Sequence, residues 1–195
     1  MSRFKETSLY KEQKATKPKI EDVINDIITD NEIKKSALDF VAYLRANKMS
    51  PVWSVANTWM ASCKGNTICG IQLDWSYQRK ADWVVYPYIY QYHTNEYNEI
   101  VVSEGLHNTV WGELKYCNGC PPKTGKPRAK NRPCIGGKDV TVFGKDFKGV
   151  CANFSHVKML WFYDPNEVEV KIIKKLIELE KQARNNECEN ERNNK

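Results

Sequence analysis

Two runs near the start of the chain repeat apolar residues with a helical period. Ile20, Val23, Ile24, Ile27 and Ile28 follow the i, i+3, i+4 spacing that lines one helix face. Leu38, Val41, Tyr43 and Leu44 do the same and predict a second helix from about residue 32 to 46. Asn31 suits its N-cap and Asn47 its stop. Ahead of both, residues 1–19 are polar, with Lys5, Lys11, Lys14, Lys17 and Lys19, and read as a flexible basic leader.

Beyond residue 50 the period shortens towards two. Val52 to Ala61 is rich in aromatic and β-branched residues, Lys64-Gly65-Asn66 supplies a turn, and Thr67 to Trp75 alternates, so a hairpin is expected. A third strand is expected from Ala81 to Tyr92. Pro87 has no N–H to give to a ladder, which places it at an edge or a bulge. Alternation sends Trp83, Val85 and Pro87 to one face and Val84, Tyr86 and Tyr88 to the other.

The remaining elements are shorter, apart from the last. A helix is expected from Ser103, with Leu106, Val110, Trp111 and Leu114 on one face. Val140 to Lys145 reads as a strand and turn, and Phe154 to Tyr163 as another strand. Asp164-Pro165-Asn166-Glu167 has the make-up of a helix start, with Asp164 at the N-cap and Pro165 in the first position. Val168, Ile172, Ile173, Leu176, Ile177 and Leu179 give that helix its apolar face, and residues 185–195 read as a disordered Asn/Glu-rich tail. Strands cluster instead of alternating with helices. The fold class is therefore α+β: a small antiparallel sheet packed with helices, in a single domain over residues 20–184.

Composition adds compartment and charge. No run approaches the roughly 20 apolar residues of a membrane span, and Met1 to Thr7 lacks the apolar core of a secretory signal, so a cytoplasmic location without membrane contact is expected. The net charge of +6 is concentrated. Between Lys115 and Cys151 nine basic residues face only Asp139 and Asp146. Lys123, Lys126, Arg128, Lys130 and Arg132 form the densest part of this run and are the candidate contacts for nucleic acid; a solvated loop is the plainer alternative.

The same segment, residues 115–151, carries Cys117, Cys120, Cys134 and Cys151. Cys117 and Cys120 form a Cys-x-x-Cys pair, and four thiolates can close a tetrahedral structural zinc site. Between Cys120 and Cys134 the chain has four prolines and almost no apolar residue, so it cannot build a helix or an inner strand. A metal clip at its ends would give it one shape, and zinc is the expected cofactor. His156 could replace one thiol. Reduced, partly buried cysteines and a redox pair stay open as alternatives.

No catalytic constellation is evident. There is no phosphate loop, no Gly-x-Ser-x-Gly and no His-Glu-x-x-His, and His93, His107 and His156 stand far apart. Binding is thus the leading reading. The aromatic density from Trp53 to Tyr92 points to a cleft for a small-molecule ligand, walled from among Trp53, Trp59, Trp75, Trp83 and Tyr86; homodimer contact or plain core packing would use the same residues. A thiol-dependent enzyme or redox sensor is the further alternative.

Trp111, Cys117, Cys120, Cys134, the box Phe143-Gly144-Lys145-Asp146-Phe147, Cys151 and the Asp164-Pro165 helix start together resemble a pattern in small, functionally uncharacterised proteins of Gram-positive bacteria. The resemblance covers the C-terminal half and implies the cysteine constellation but no activity. The long Lys/Pro insert before Cys134 departs from it. In element order the N-terminal half is similar to small α+β ligand-binding domains of the gyrase-inhibitor type.

Overall fold

The computed structural model describes residues 8–76, 80–89, 95–113, 138–150 and 160–193. Its main feature is an antiparallel sheet of five strands: β1 (Val52–Val55), β2 (Thr58–Cys63), β3 (Asn66–Trp75), β4 (Ala81–Pro87) and, much later in the chain, β7 (Phe162–Tyr163). The spatial order is β1-β2-β3-β4-β7. Local chemistry sets the turns. Lys64 and Gly65 both adopt positive φ, 48° and 82°, as a two-residue hairpin turn of matching twist requires. The expected strand from Val52 to Ala61 is divided into β1 and β2, because Ala56-Asn57 reverses the chain with Asn57 at φ 52°. Pro87 closes β4 beyond the two residues that pair with β7, where no N–H is asked of it.

Register divides the side chains of the sheet between two faces. Trp53, Trp59, Ile71, Val85 and Phe162 lie in one row across it. With Ala61, Cys69, Leu73 and Trp83 they form the core face, on which all but Trp53 are at most 2% exposed. Helices supply the other half of this core: α2 (Ile20–Ile27) through Ile20 and Ile24, and α3 (Asn31–Ala46) through Ala37, Phe40, Val41 and Leu44. The Phe40 ring meets Trp83 at 5.9 Å, and the Trp59 indole donates to the Pro18 carbonyl just ahead of α2. Asp30, not Asn31, caps α3, accepting from the Glu32 and Ile33 N–H groups. Arg45 of α3 grips both carboxylate oxygens of Glu21 on α2 and holds that carboxyl below its usual pKa.

The expected leader is helical from Ser8: α1 spans Ser8–Thr16. It docks through one buried polar side chain. Gln13 Oε1 accepts from the Asn57 N–H and the Trp53 indole, and Gln13 Nε2 donates to Asn57 Oδ1. Tyr10 adds its ring against Trp53 at 5.9 Å.

The last helix, α6, runs Glu167–Asn193, well past the point where a disordered tail is expected. Asn166 is its N-cap and forms a reciprocal capping box with Glu169. Asp164, expected in that role, is used elsewhere: at φ 44° its carboxylate accepts from the Asp82 and Trp83 N–H groups and fastens β7 to β4. The Tyr43 hydroxyl of α3 donates to Glu178 on α6 at 2.7 Å.

The chain divides into two compact units. The sheet, with Met1–Tyr88 and Trp161–Lys181, is one; Ile89–Leu160 with Gln182–Lys195 is the other. In the second unit, α4 (Asn95–Ser103) and α5 (His107–Glu113) accompany a hairpin of β5 (Lys138–Val142) and β6 (Lys145–Val150). Ser103 ends a helix here instead of starting one. The Phe-Gly-Lys-x-Phe box forms the hairpin turn. Phe143 stacks on Tyr97 of α4 at 5.8 Å, and Lys145 lies over the rings of Trp111 and Phe147 at 5.0 and 5.5 Å. The Trp111 indole donates to the Val142 carbonyl. The box is thus a packing device that fixes the hairpin to its helices. No helix among the described residues is long and apolar enough to cross a membrane.

Candidate functional site

Cys117, Cys120, Cys134, Cys151 and His156 lie outside the described residues, as do Lys123, Lys126, Arg128, Lys130 and Arg132. Among the described residues no group of three or more His, Cys, Asp or Glu side chains could hold a metal. Of the cysteines that are described, Cys69 is fully buried on the core face, and burial pushes its thiol pKa far up. A neutral, enclosed thiol is a packing group, so Cys69 offers nothing to a thiol mechanism.

The aromatic residues on the strands separate by register. Trp59 and Trp83 belong to the core face, each 1% exposed. Trp53 is half-buried beneath α1. It also borders a shallow 680 Å³ depression with Val52, Met60, Lys48 and three serines. Trp75 and Tyr86 come together on the opposite face. They line a cleft of about 400 Å³ with Val55, Ala56, Thr58, Gln72, Asp74 and Ser76.

The walls of this cleft follow from three local features. Gly70 pairs directly with Tyr86 across β3 and β4. A Cβ at Gly70 would stand 2.0 Å from the Tyr86 ring, so only glycine lets the ring lie flat on the sheet. The Trp161 ring then stacks on Tyr86 at 4.6 Å and 27°. Finally, Asp74 takes φ 52°, which interrupts the alternation of β3. By strict pleat Trp75 would share the core face with Leu73; instead its ring sits 5.1 Å from Trp161 and 6.2 Å from Tyr163. Trp75, Trp161 and Tyr86 make a continuous aromatic corner.

Polar groups are few and set at the rim. The Thr58 hydroxyl is engaged with the Ala56 carbonyl. The side chains of Gln72 and Asp74 make no hydrogen bond or ion pair among the described residues. Tyr86 is 6% exposed, and burial raises its phenol well above the ordinary value, so the ring is neutral. Its hydroxyl points to the Met60 sulfur at 3.7 Å. The arrangement can take up a small apolar or flat group and offer it one amide and one carboxylate. Among the described residues that line it, no nucleophile is paired with a base.

Of the five aromatic residues expected from the sequence to wall a cleft, the structure brings Trp75 and Tyr86 together at this one. Trp161, Gln72, Asp74 and the requirement for Gly70 were not expected from the sequence. Trp161 could have been found: Trp161 and Tyr163 alternate about Phe162 and mark a strand with aromatics on both faces. Comparison of the chain with protein-family models, with curated proteins and with solved structures finds no significant match.

Proposed function

We propose that this protein binds a small flat or cationic organic molecule in the cleft walled by Trp75 and Tyr86. The aromatic corner carries this reading. Three large rings are assembled on the sheet face opposite Trp59 and Trp83, and two of them, Trp75 and Tyr86, line a cleft of about 400 Å³, within the size range of small-molecule sites. Core packing alone accounts for Trp59 and Trp83 but leaves this space unexplained. In the same reading, Cys117, Cys120, Cys134 and Cys151 hold a structural zinc ion that fastens the segment between α5 and β6.

Ligand-observed NMR with a panel of small aromatic and cationic compounds tests the cleft. Some members should show saturable binding to the natural chain and none to Trp75→Ala, whose fold is checked by circular dichroism. Binding that survives Trp75→Ala unchanged places the ligand elsewhere, and absence of binding across the panel removes the reading.

A further inference from the structure

Among the described residues that line the cleft, Asp74 carries the one charge, and its backbone position singles it out. Asp74 occupies a left-handed conformation at φ 52°. Glycine or asparagine would meet that requirement as well as aspartate or better. Only the carboxylate is specific to aspartate, and it is exposed, with no partner among the described residues, in a chain of net charge +6. It adjoins Trp75, which is largely buried but keeps part of its surface on the cleft and is braced by Trp161 and Tyr163. The Gln72 amide, also on the cleft wall, has no hydrogen-bond partner among the described residues.

An indole face attracts cations through its quadrupole, by about 0.5–2 kcal/mol depending on desolvation. A carboxylate in the next position adds Coulombic attraction of the same sign. Of the remaining lining, Val55, Ala56 and Tyr86 are apolar and Thr58 and Ser76 add only two hydroxyls, the first engaged with the Ala56 carbonyl, so the surface is mainly apolar. Such a surface disfavours a compact, strongly hydrated ammonium, which would lose its water without replacement. It favours a cation that brings its own apolar surface. Resting on the cleft reading above, we propose that the ligand is an organic cation with its charge on alkylated nitrogen, a quaternary or N-methylated ammonium, seated against Trp75 and facing Asp74.

Choline and 3,3-dimethylbutan-1-ol test this, because they share shape and differ in whether the central atom is N⁺ or carbon. Titration calorimetry on the full chain should show choline binding about tenfold or more tightly than the neutral isostere. Asp74→Asn, which keeps the left-handed backbone, should weaken choline about three- to tenfold and leave the isostere unchanged. Equal binding of the two probes, or an Asp74→Asn variant that binds choline as tightly as the natural chain, overturns the cation assignment. A flat neutral probe, 2-naphthol, separates the two levels. If 2-naphthol binds and choline does not, the cation is wrong and the cleft stands; if neither binds, both fall.

Discussion

Gly70 and Tyr86 show how one missing methyl group shapes a surface. The Tyr86 ring occupies the space where a Cβ at position 70 would be, and Trp161 is built on that ring in turn. Gly70→Ala should therefore lift Tyr86, disturb the Trp161 stack and lower stability by about 1–3 kcal/mol, the range for overpacking. Denaturant midpoints give the cost and near-ultraviolet circular dichroism the loss of the stack. In a Tyr86→Leu background the same substitution should cost much less; equal cost in both backgrounds would show that the ring contact is not its origin. Tyr86 also makes a pH prediction. Burial raises its folded pKa, and burial with the Glu178 hydrogen bond raises that of Tyr43, whereas an unfolded phenol titrates near about 10. Both residues thus contribute stability that is fully present below pH ~10 and is lost as pH rises above it, because the unfolded chain releases those protons first. Tyr86→Phe should flatten the alkaline fall of the denaturation midpoint, and a slope unchanged by that substitution would count against the burial argument.

Among the elements, α1 depends most on a single contact. Nine residues are too few for a helix to stand alone in water, and α1 has no strong apolar face to bury. Gln13 supplies what propensity does not. Gln13→Ala would leave the Asn57 amide and the Trp53 indole without their acceptor, at a cost of about 2–3 kcal/mol. Hydrogen exchange should then show α1 amides losing protection while β3 and β4 keep theirs; unchanged α1 protection would mean the helix is held by other contacts. The same helix marks the limit of what could be read from the chain. α2 and α3 were legible because their docking is apolar and periodic. α1 was not, since one glutamine among lysines carries no periodic signal. The Lys64-Gly65 turn was legible from its glycine, whereas the Ala56-Asn57 turn, whose Asn57 N–H is held by Gln13 from 44 residues away, was not. The start of α6 was legible to within two residues, and the cap was misplaced because Asp164 is spent on a contact with β4. Trp75 and Tyr86 were legible as aromatics on strands. The separation of Tyr86 from Trp83 was legible from alternation along one strand, whereas that of Trp75 was not, because it depends on a left-handed Asp74 that only the folded sheet reveals.

At the scale of the whole molecule, the sheet and the β5–β6 hairpin belong to different compact units, and they rest on different physics. The sheet unit has a continuous apolar core from Ile20 to Ile177, enough to hold it without a metal. The hairpin has a few ring contacts, with Phe143, Trp111 and Lys145 as its main anchors. In chain order, three of the four proposed zinc ligands fall between the end of α5 and the start of β5, and the fourth directly follows β6. A zinc ion there would join both hairpin strands to α5 and supply the binding energy that the small apolar contact lacks, roughly 10 kcal/mol or more in zinc peptides. Protein purified under reducing conditions should therefore contain about one zinc per chain, as four thiolates require. Chelation, or Cys117→Ser, should release it and expose β5 and β6 amides to rapid exchange, while β2 and β3 amides retain their protection and the cleft its affinity. Elemental analysis that finds no zinc removes the metal from the account. Zinc loss that melts the five-stranded sheet together with the hairpin would show instead that the two units depend on one another for stability.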